Sequence, residues 1–127
     1  MTLPDLAKEL IDNQVFATLA TVNPDGTPQT SVIWVKRDGD EVVFSTITGR
    51  RKTFNMQRTP QVSLLVFDPD DPYQYAEIRG EVTITTEGGP ELIQELSDLY
   101  EGKPFHEKHP EAERVVCRLT PTRVITR

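Results

Sequence analysis

The chain has 127 residues, with 14 Lys and Arg against 20 Asp and Glu, so its formal net charge at pH 7 is −6. That length predicts one domain over residues 1–127, able to bury roughly two-thirds of its unfolded surface and so to fold without disulfides or a structural metal. A single cysteine, Cys117, excludes an internal disulfide and a four-thiolate zinc site. No apolar run nears the roughly 20 residues that span a bilayer, and the first ten residues carry acids where a secretory leader carries bases, so a cytoplasmic protein with no membrane contact is expected. The acidic balance disfavours a general nucleic-acid binder.

In chain order, Thr2 followed by Pro4 and Asp5 predicts a helix start, and Leu3, Leu6, Leu10 and Ile11 share one face of a short helix ending near Asp12 or Asn13. Val15 to Val22 is β-branched, aromatic or small on both faces, which predicts a strand covered on both sides. The turns Asn23-Pro24-Asp25-Gly26 and Arg37-Asp38-Gly39-Asp40 then predict strands from Pro28 to Lys36 and from Glu41 to Ile47, forming a three-stranded meander. Val62 to Phe67 reads as a fourth strand, ended by Asp68-Pro69-Asp70-Asp71-Pro72. Tyr75 to Thr85 reads as a fifth, with Ala76, Ile78, Gly80, Val82 and Ile84 on one face.

Gly88-Gly89-Pro90 opens a helix carrying Leu92, Ile93, Leu96, Leu99 and Tyr100 at helical spacing, closed by Gly102. Lys103 to Glu113 is polar and loop-like, and Val115 to Leu119 and Arg123 to Thr126 predict two closing strands separated by Thr120-Pro121. The expected class is mainly β with peripheral helices: six or seven antiparallel strands closed as a barrel, with two or three helices outside.

The most unusual composition lies between Thr48 and Arg58, where Arg50, Arg51, Lys52 and Arg58 stand with no acid. The segment follows a strand and opens a short helix that must stop before Thr59-Pro60. Such a junction offers unpaired amides and the positive end of a helix dipole, which suits a phosphate. The alternative is a solvated basic turn paired with Asp68, Asp70 or Asp71. Ser45, Thr46 and Thr48 beside it could complete an anion pocket without adding charge.

His106 and His109 lack the helical spacing of a zinc motif, and no metal site is expected. Cys117 alternates with Val115 and Leu119 and reads as a small buried residue. Neither a serine-nucleophile elbow nor a glycine-rich phosphate or dinucleotide fingerprint occurs, so no catalytic residue is nominated and an enzyme built this way would rely on a bound cofactor. Trp34 and Tyr75 read as core or interface anchors, or as surfaces on which a planar ring could stack.

The run Phe16-Ala17-Thr18-Leu19-Ala20-Thr21-Val22, then Asn23-Pro24-Asp25-Gly26-Thr27-Pro28-Gln29 and Val32-Ile33-Trp34-Val35, resembles the opening of the pyridoxamine 5′-phosphate oxidase-like proteins. Arg51-Lys52-Thr53-Phe54-Asn55-Met56, Pro60-Gln61-Val62-Ser63-Leu64-Leu65-Val66 and Glu77-Ile78-Arg79-Gly80-Glu81-Val82 fit the same family in order. The chain is most similar to the small actinobacterial members that use the deazaflavin coenzyme F420.

The resemblance implies an FMN-binding type of split β-barrel and a homodimer with two cofactor grooves at the interface. It implies that Arg50, Arg51 and Lys52, with Ser45, Thr46 and Thr48, hold the cofactor phosphate. Gln29, Thr30, Ser31 and Val32 would meet the ring, with Asn55 and Tyr75 also carried over as cofactor contacts. The implied reaction is hydride transfer between reduced deazaflavin and an electron-poor conjugated acceptor. The alternatives are FMN in the same fold, or a non-catalytic carrier of F420 or of haem, the last ligated by His106 or His109. Arg58 or Arg79 could attract the acidic tail of F420.

Overall fold

The alternation between Tyr75 and Thr85 is kept in the structure, where Ala76, Ile78, Gly80 and Val82 are buried while Arg79, Glu81, Thr83 and Thr85 are exposed. A computed structural model describes all 127 residues. Its elements are α1 (Asp5–Asp12), β1 (Ala17–Val22), β2 (Pro28–Ile33), β3 (Lys36–Asp38), β4 (Glu41–Ile47), α2 (Arg51–Arg58), β5 (Gln61–Asp68), β6 (Asp71–Thr85), α3 (Gly89–Tyr100) and β7 (Arg114–Thr126). The seven strands form one antiparallel sheet in the order β2-β1-β5-β6-β7-β4-β3, the split-barrel arrangement. Its inward rows meet in one core around Leu19, Phe44, Leu64, Ile78, Cys117 and Leu119. Helix α1 adds Ala7, Leu10 and Ile11 to that core, with Pro4 rather than Thr2 at its cap position. No helix is long and apolar enough to cross a membrane.

The meander expected from the turns does not form. β2 pairs with β1 and β3 with β4, at opposite edges of the sheet, so Pro28 to Lys36 is two strands. Trp34 and Val35 carry the chain from one edge to the other, and Val35, only 1% exposed, has its backbone outside both ladders. The Tyr100 hydroxyl supplies the missing partner. It accepts from the Val35 amide at 3.0 Å and lies within donating distance of the Val15 and Val35 carbonyls, at 2.9 and 3.0 Å. Its ring stacks on Trp34 with centroids 5.5 Å apart. Burial raises the pKa of this phenol above the ordinary tyrosine value, so it stays a neutral donor. Tyr100→Phe leaves a buried amide without a partner and is expected to lower stability by about 1–3 kcal/mol. Urea denaturation followed by circular dichroism should show an earlier midpoint with an unchanged slope.

The C-terminus also departs from expectation, because Val115 to Leu119 and Arg123 to Thr126 belong to the single strand β7. Its register against β6 jumps from Gly80↔Pro121 to Arg79↔Arg123, leaving Thr122 as the extra residue of a bulge. Pro121 has no N–H to give the ladder and the bulge absorbs that loss. Gly80 is required opposite it, since a Cβ there would lie 2.1 Å from the Thr120 carbonyl oxygen. Helix α3 lies over the outer side of this region, with Leu92 and Leu96 packed on Val43 and flanked by Trp34, Tyr100 and Val116.

Candidate functional site

β4 hands the chain to α2 through Thr48-Gly49-Arg50, and Arg50 takes the extended conformation of an N-cap without a side-chain cap bond. The Thr53 and Phe54 amides both donate to the Arg50 carbonyl at 3.1 Å, while those of Arg51 and Lys52 have no partner. The positive end of α2 is therefore open. The helical period then buries Lys52, Thr53, Asn55 and Met56 and exposes Arg51, Phe54, Gln57 and Arg58. Lys52 is only 7% exposed, yet its Nζ meets no carboxylate and donates to the Ser31 hydroxyl at 3.2 Å. Burial first, and then the charges of Arg50 and Arg114, hold its pKa below the usual lysine value.

A pocket of about 160 Å³ lies in front of this ammonium, lined by Phe16, Val32, Ile33, Trp34, Ser45, Arg50, Lys52, Ile93 and Leu96. Two cations and no carboxylate face it. A cleft of about 440 Å³ under α3 and a groove of about 500 Å³ over β1, β5 and β6 are larger, but Glu107 and Glu113 line the first and Glu81 the second. Ser45 Oγ at the pocket wall accepts from Arg114 Nη1 over 3.4 Å. Arg114 is gripped by Glu107 through Nε at 2.7 Å and Nη2 at 3.3 Å, and its guanidinium lies 5.0 Å from the centre of the Phe105 ring. The same pair holds the Glu107 carboxyl below its ordinary pKa.

Of the residues singled out from the sequence, Val32, Ser45, Arg50 and Lys52 line the pocket, and Ser31 touches it through Lys52. Arg51 and Thr30 are exposed nearby on α2 and β2. Thr48 is exposed, with its hydroxyl taken by the Glu113 amide at 3.0 Å. Gln29 accepts from Thr21 at 2.6 Å and donates to the Thr30 carbonyl at 3.1 Å.

Gln29, Thr30, Thr48 and Arg51 are thus outside the pocket lining, as are Thr46, Asn55 and Tyr75. The buried Thr46 hydroxyl is 3.1 Å from that of Thr53, which in turn donates to the Ile47 carbonyl. Asn55 is fully buried and donates to Thr21 Oγ1 and Asn23 Oδ1, both at 3.0 Å, while its own Oδ1 has no partner. Tyr75 sits on β6 opposite Phe67.

The basic segment does not pair with the acidic turn, as the alternative reading required. Asp68 and Asp71 accept instead from the Asp70 and Tyr73 amides. Arg79 pairs with Glu77 at 3.0 Å, whereas Arg58 donates to the Val22 carbonyl and meets no carboxylate. His106 is exposed, and His109 lies 3.5 Å from Glu111. Cys117 is buried as expected, and burial pushes its thiol up to about 12, far from a reactive thiolate.

Arg114 was missed from the sequence. The only signal is a charged residue at the start of an apolar strand, and its relevance depends on the β4–β7 register that sets it opposite Ile47.

A seven-stranded split barrel with a cation-lined pocket at the β4–α2 junction defines a recognised class. The sequence profile of pyridoxamine 5′-phosphate oxidase matches residues 3–127, and the chain belongs to that family. Among solved structures, an F420 reductase is 34% identical over 98% of this chain and 100% of its own, with a TM-score of 0.89. A conserved hypothetical protein from Mycobacterium tuberculosis is 22% identical over 98% of this chain and 83% of its own, at a TM-score of 0.77. A pyridoxamine 5′-phosphate oxidase-related, FMN-binding protein from Nostoc punctiforme is 21% identical over 98% and 84%, at a TM-score of 0.72. The last two are similar in fold alone. No curated protein matches the chain.

Proposed function

We propose that this chain, as one domain over residues 1–127, is an oxidoreductase that binds coenzyme F420 and transfers a hydride between it and an electron-poor conjugated acceptor. The observation that carries the reading is Lys52, a buried ammonium with no carboxylate, flanked by Arg50 and two unpartnered amides. A cation buried without a counter-charge is costly unless an anion completes it, so these residues fit the phosphate of a coenzyme. Similarity to an F420 reductase at 34% identity over essentially the full length of both chains supports the choice of deazaflavin.

A pocket of about 160 Å³ is below the usual size for a whole cofactor, so it would hold the phosphate alone. The ring would lie outward along β2, whose free edge presents the backbone N–H and C=O groups of every second residue between Gln29 and Val32. Phe16 and Val32, 61% and 67% exposed, form an apolar rim there. A second copy of the chain covering that rim would bury it and exclude water, which supports a homodimer with paired grooves. Bound in this way, the deazaflavin would supply the hydride chemistry, and the chain's own part is to anchor, orient and desolvate.

FMN carries a phosphate too, and the Lys52 pocket alone does not distinguish it. Fluorescence titrations with F420 and FMN side by side test the reading. F420 should bind at least about tenfold more tightly, a difference of about 1.4 kcal/mol. Tighter FMN binding would replace the coenzyme, and binding of neither would overturn the phosphate site.

A further inference from the structure

A lysine amine becomes a nucleophile when it is taken out of water or set beside other cations, because both disfavour the ammonium and free the nitrogen lone pair. Of the five lysines, Lys8, Lys36 and Lys103 lie against carboxylates, at 3.9, 2.8 and 3.3 Å, and Lys108 is exposed. Each of these four is held as an ammonium by an acid or by water. Lys52 has neither. Its Nζ meets one neutral group, the Ser31 hydroxyl at 3.2 Å, and shares its pocket with the aliphatic side chains of Val32, Ile33, Ile93 and Leu96. The charges acting on it are the guanidiniums of Arg50, ahead of α2, and Arg114, on β7. The remaining titratable neighbour, Cys117 on β7, is a thiol pushed up to about 12 and therefore offers no counter-charge. β2, β4 and α3 bring no titratable group to the pocket. Burial first, and then the two guanidiniums, favour the free amine.

We propose that Lys52 of the ligand-free protein is a carbonyl-reactive amine, which captures small uncharged aldehydes as imines. The Nζ lone pair adds to the carbonyl carbon and one N–H proton moves to the oxygen, giving a carbinolamine. Loss of the second N–H proton together with that hydroxyl releases one water and leaves a C=N bond, with no net oxidation or reduction. Ser31 Oγ, which both accepts and donates, is in place to carry the proton from nitrogen to oxygen. A pocket of about 160 Å³ admits a short alkyl chain and excludes a polycyclic aldehyde. The captured chain fills the pocket and the imine nitrogen no longer offers the donors of an ammonium, so aldehyde capture and coenzyme loading exclude one another. This reactivity belongs to the ligand-free chain and does not depend on which coenzyme the protein binds.

Propanal with cyanoborohydride, which reduces imines to stable secondary amines, tests this when peptide mass spectrometry reads each lysine separately. At pH 7 an ordinary exposed lysine is neutral in only about four molecules in ten thousand, and each unit by which its pKa is lowered raises that fraction tenfold. Lys52 is expected to be alkylated at least about tenfold faster than Lys108 at pH 7. The ratio should fall steadily toward about pH 10, where exposed amines also lose their protons. Pyrenecarboxaldehyde, too large for the pocket, should reverse the order.

Arg50→Gln, which removes one repelling charge, should lower the Lys52-to-Lys108 ratio at pH 7 by about threefold. Excess F420 should slow the labelling of Lys52 and leave that of Lys108 as it was. Alkylation of Lys52 no faster than that of Lys108 at pH 7 overturns the proposal, as does a ratio that stays constant with pH. Pyrenecarboxaldehyde labelling Lys52 as readily as propanal also overturns it, since the amine would then not lie in the pocket. Rapid propanal labelling that F420 fails to slow supports the reactive amine while counting against the phosphate site, so the two readings fail separately.

Discussion

Lys52→Met is expected to make the ligand-free protein more stable while weakening its hold on a phosphate-bearing coenzyme by roughly ten- to a hundredfold. The loss follows from removing one charge-assisted contact worth about 1.5–3 kcal/mol. The gain follows from the lowered pKa of Lys52, which means that the fold disfavours the ammonium, by burial and by repulsion from Arg50 and Arg114. In the unfolded chain the amine keeps its ordinary pKa of 10.5. Between the lowered folded value and 10.5 the unfolded state binds more protons, so stability climbs with pH across that window. Below the folded value the full penalty is present and constant.

Methionine fills similar space without the charge, so the penalty and that portion of the pH slope should both disappear. Thermal melts across alkaline pH, with and without F420, check both halves. A variant less stable than the parent without ligand, or one of unchanged affinity, sinks the account. The combination is characteristic of a binding residue held at the expense of the fold.

Gly89→Ala should produce a severe loss of stability. Alanine in a helix ordinarily stabilises by up to about 1 kcal/mol relative to glycine. Here its Cβ would stand 2.2 Å from the Arg114 carbonyl oxygen and 2.7 Å from the carbonyl carbon, backbone that cannot swing aside. α3 would have to lift from β7, disturbing Leu92 and Leu96 on Val43 and the Tyr100 hydroxyl that satisfies Val35. A loss of roughly 4 kcal/mol is expected, placing the substitution among the severe ones. For a chain of this size that corresponds to a fall in Tm of roughly 10 °C or more. Because α3 also supplies Ile93 and Leu96 to the pocket, anion binding should weaken together with stability. Calorimetry showing a Tm within about 3 °C of the parent would refute the clash.

Most of the secondary structure was legible because its signals are local. The β6 alternation, the Leu92-to-Tyr100 helical stripe and the basic run after β4 can each be read within a dozen residues. The boundaries that failed were those decided at long range. Nothing around Trp34 marks it as the place where the chain changes edges, because the hydroxyl that satisfies Val35 comes from Tyr100, 65 positions away. Thr120-Pro121 has the composition of a turn, yet the bulge opposite Gly80 accommodates the proline within β7.

The candidate site divides in the same way. The sequence by itself determined that a cluster of positive charge without acids opens a helix, because composition and caps are properties of neighbouring residues. Only the tertiary structure decided which of those charges turns inward. The helical phase buries Lys52 and exposes Arg51, and the β4–β7 register carries Arg114 to Ser45. The same packing commits Thr46 and Asn55 to bonds within the fold. Whether a charge is solvated or stranded depends on what packs against it, and that is a property of contacts far apart in the chain.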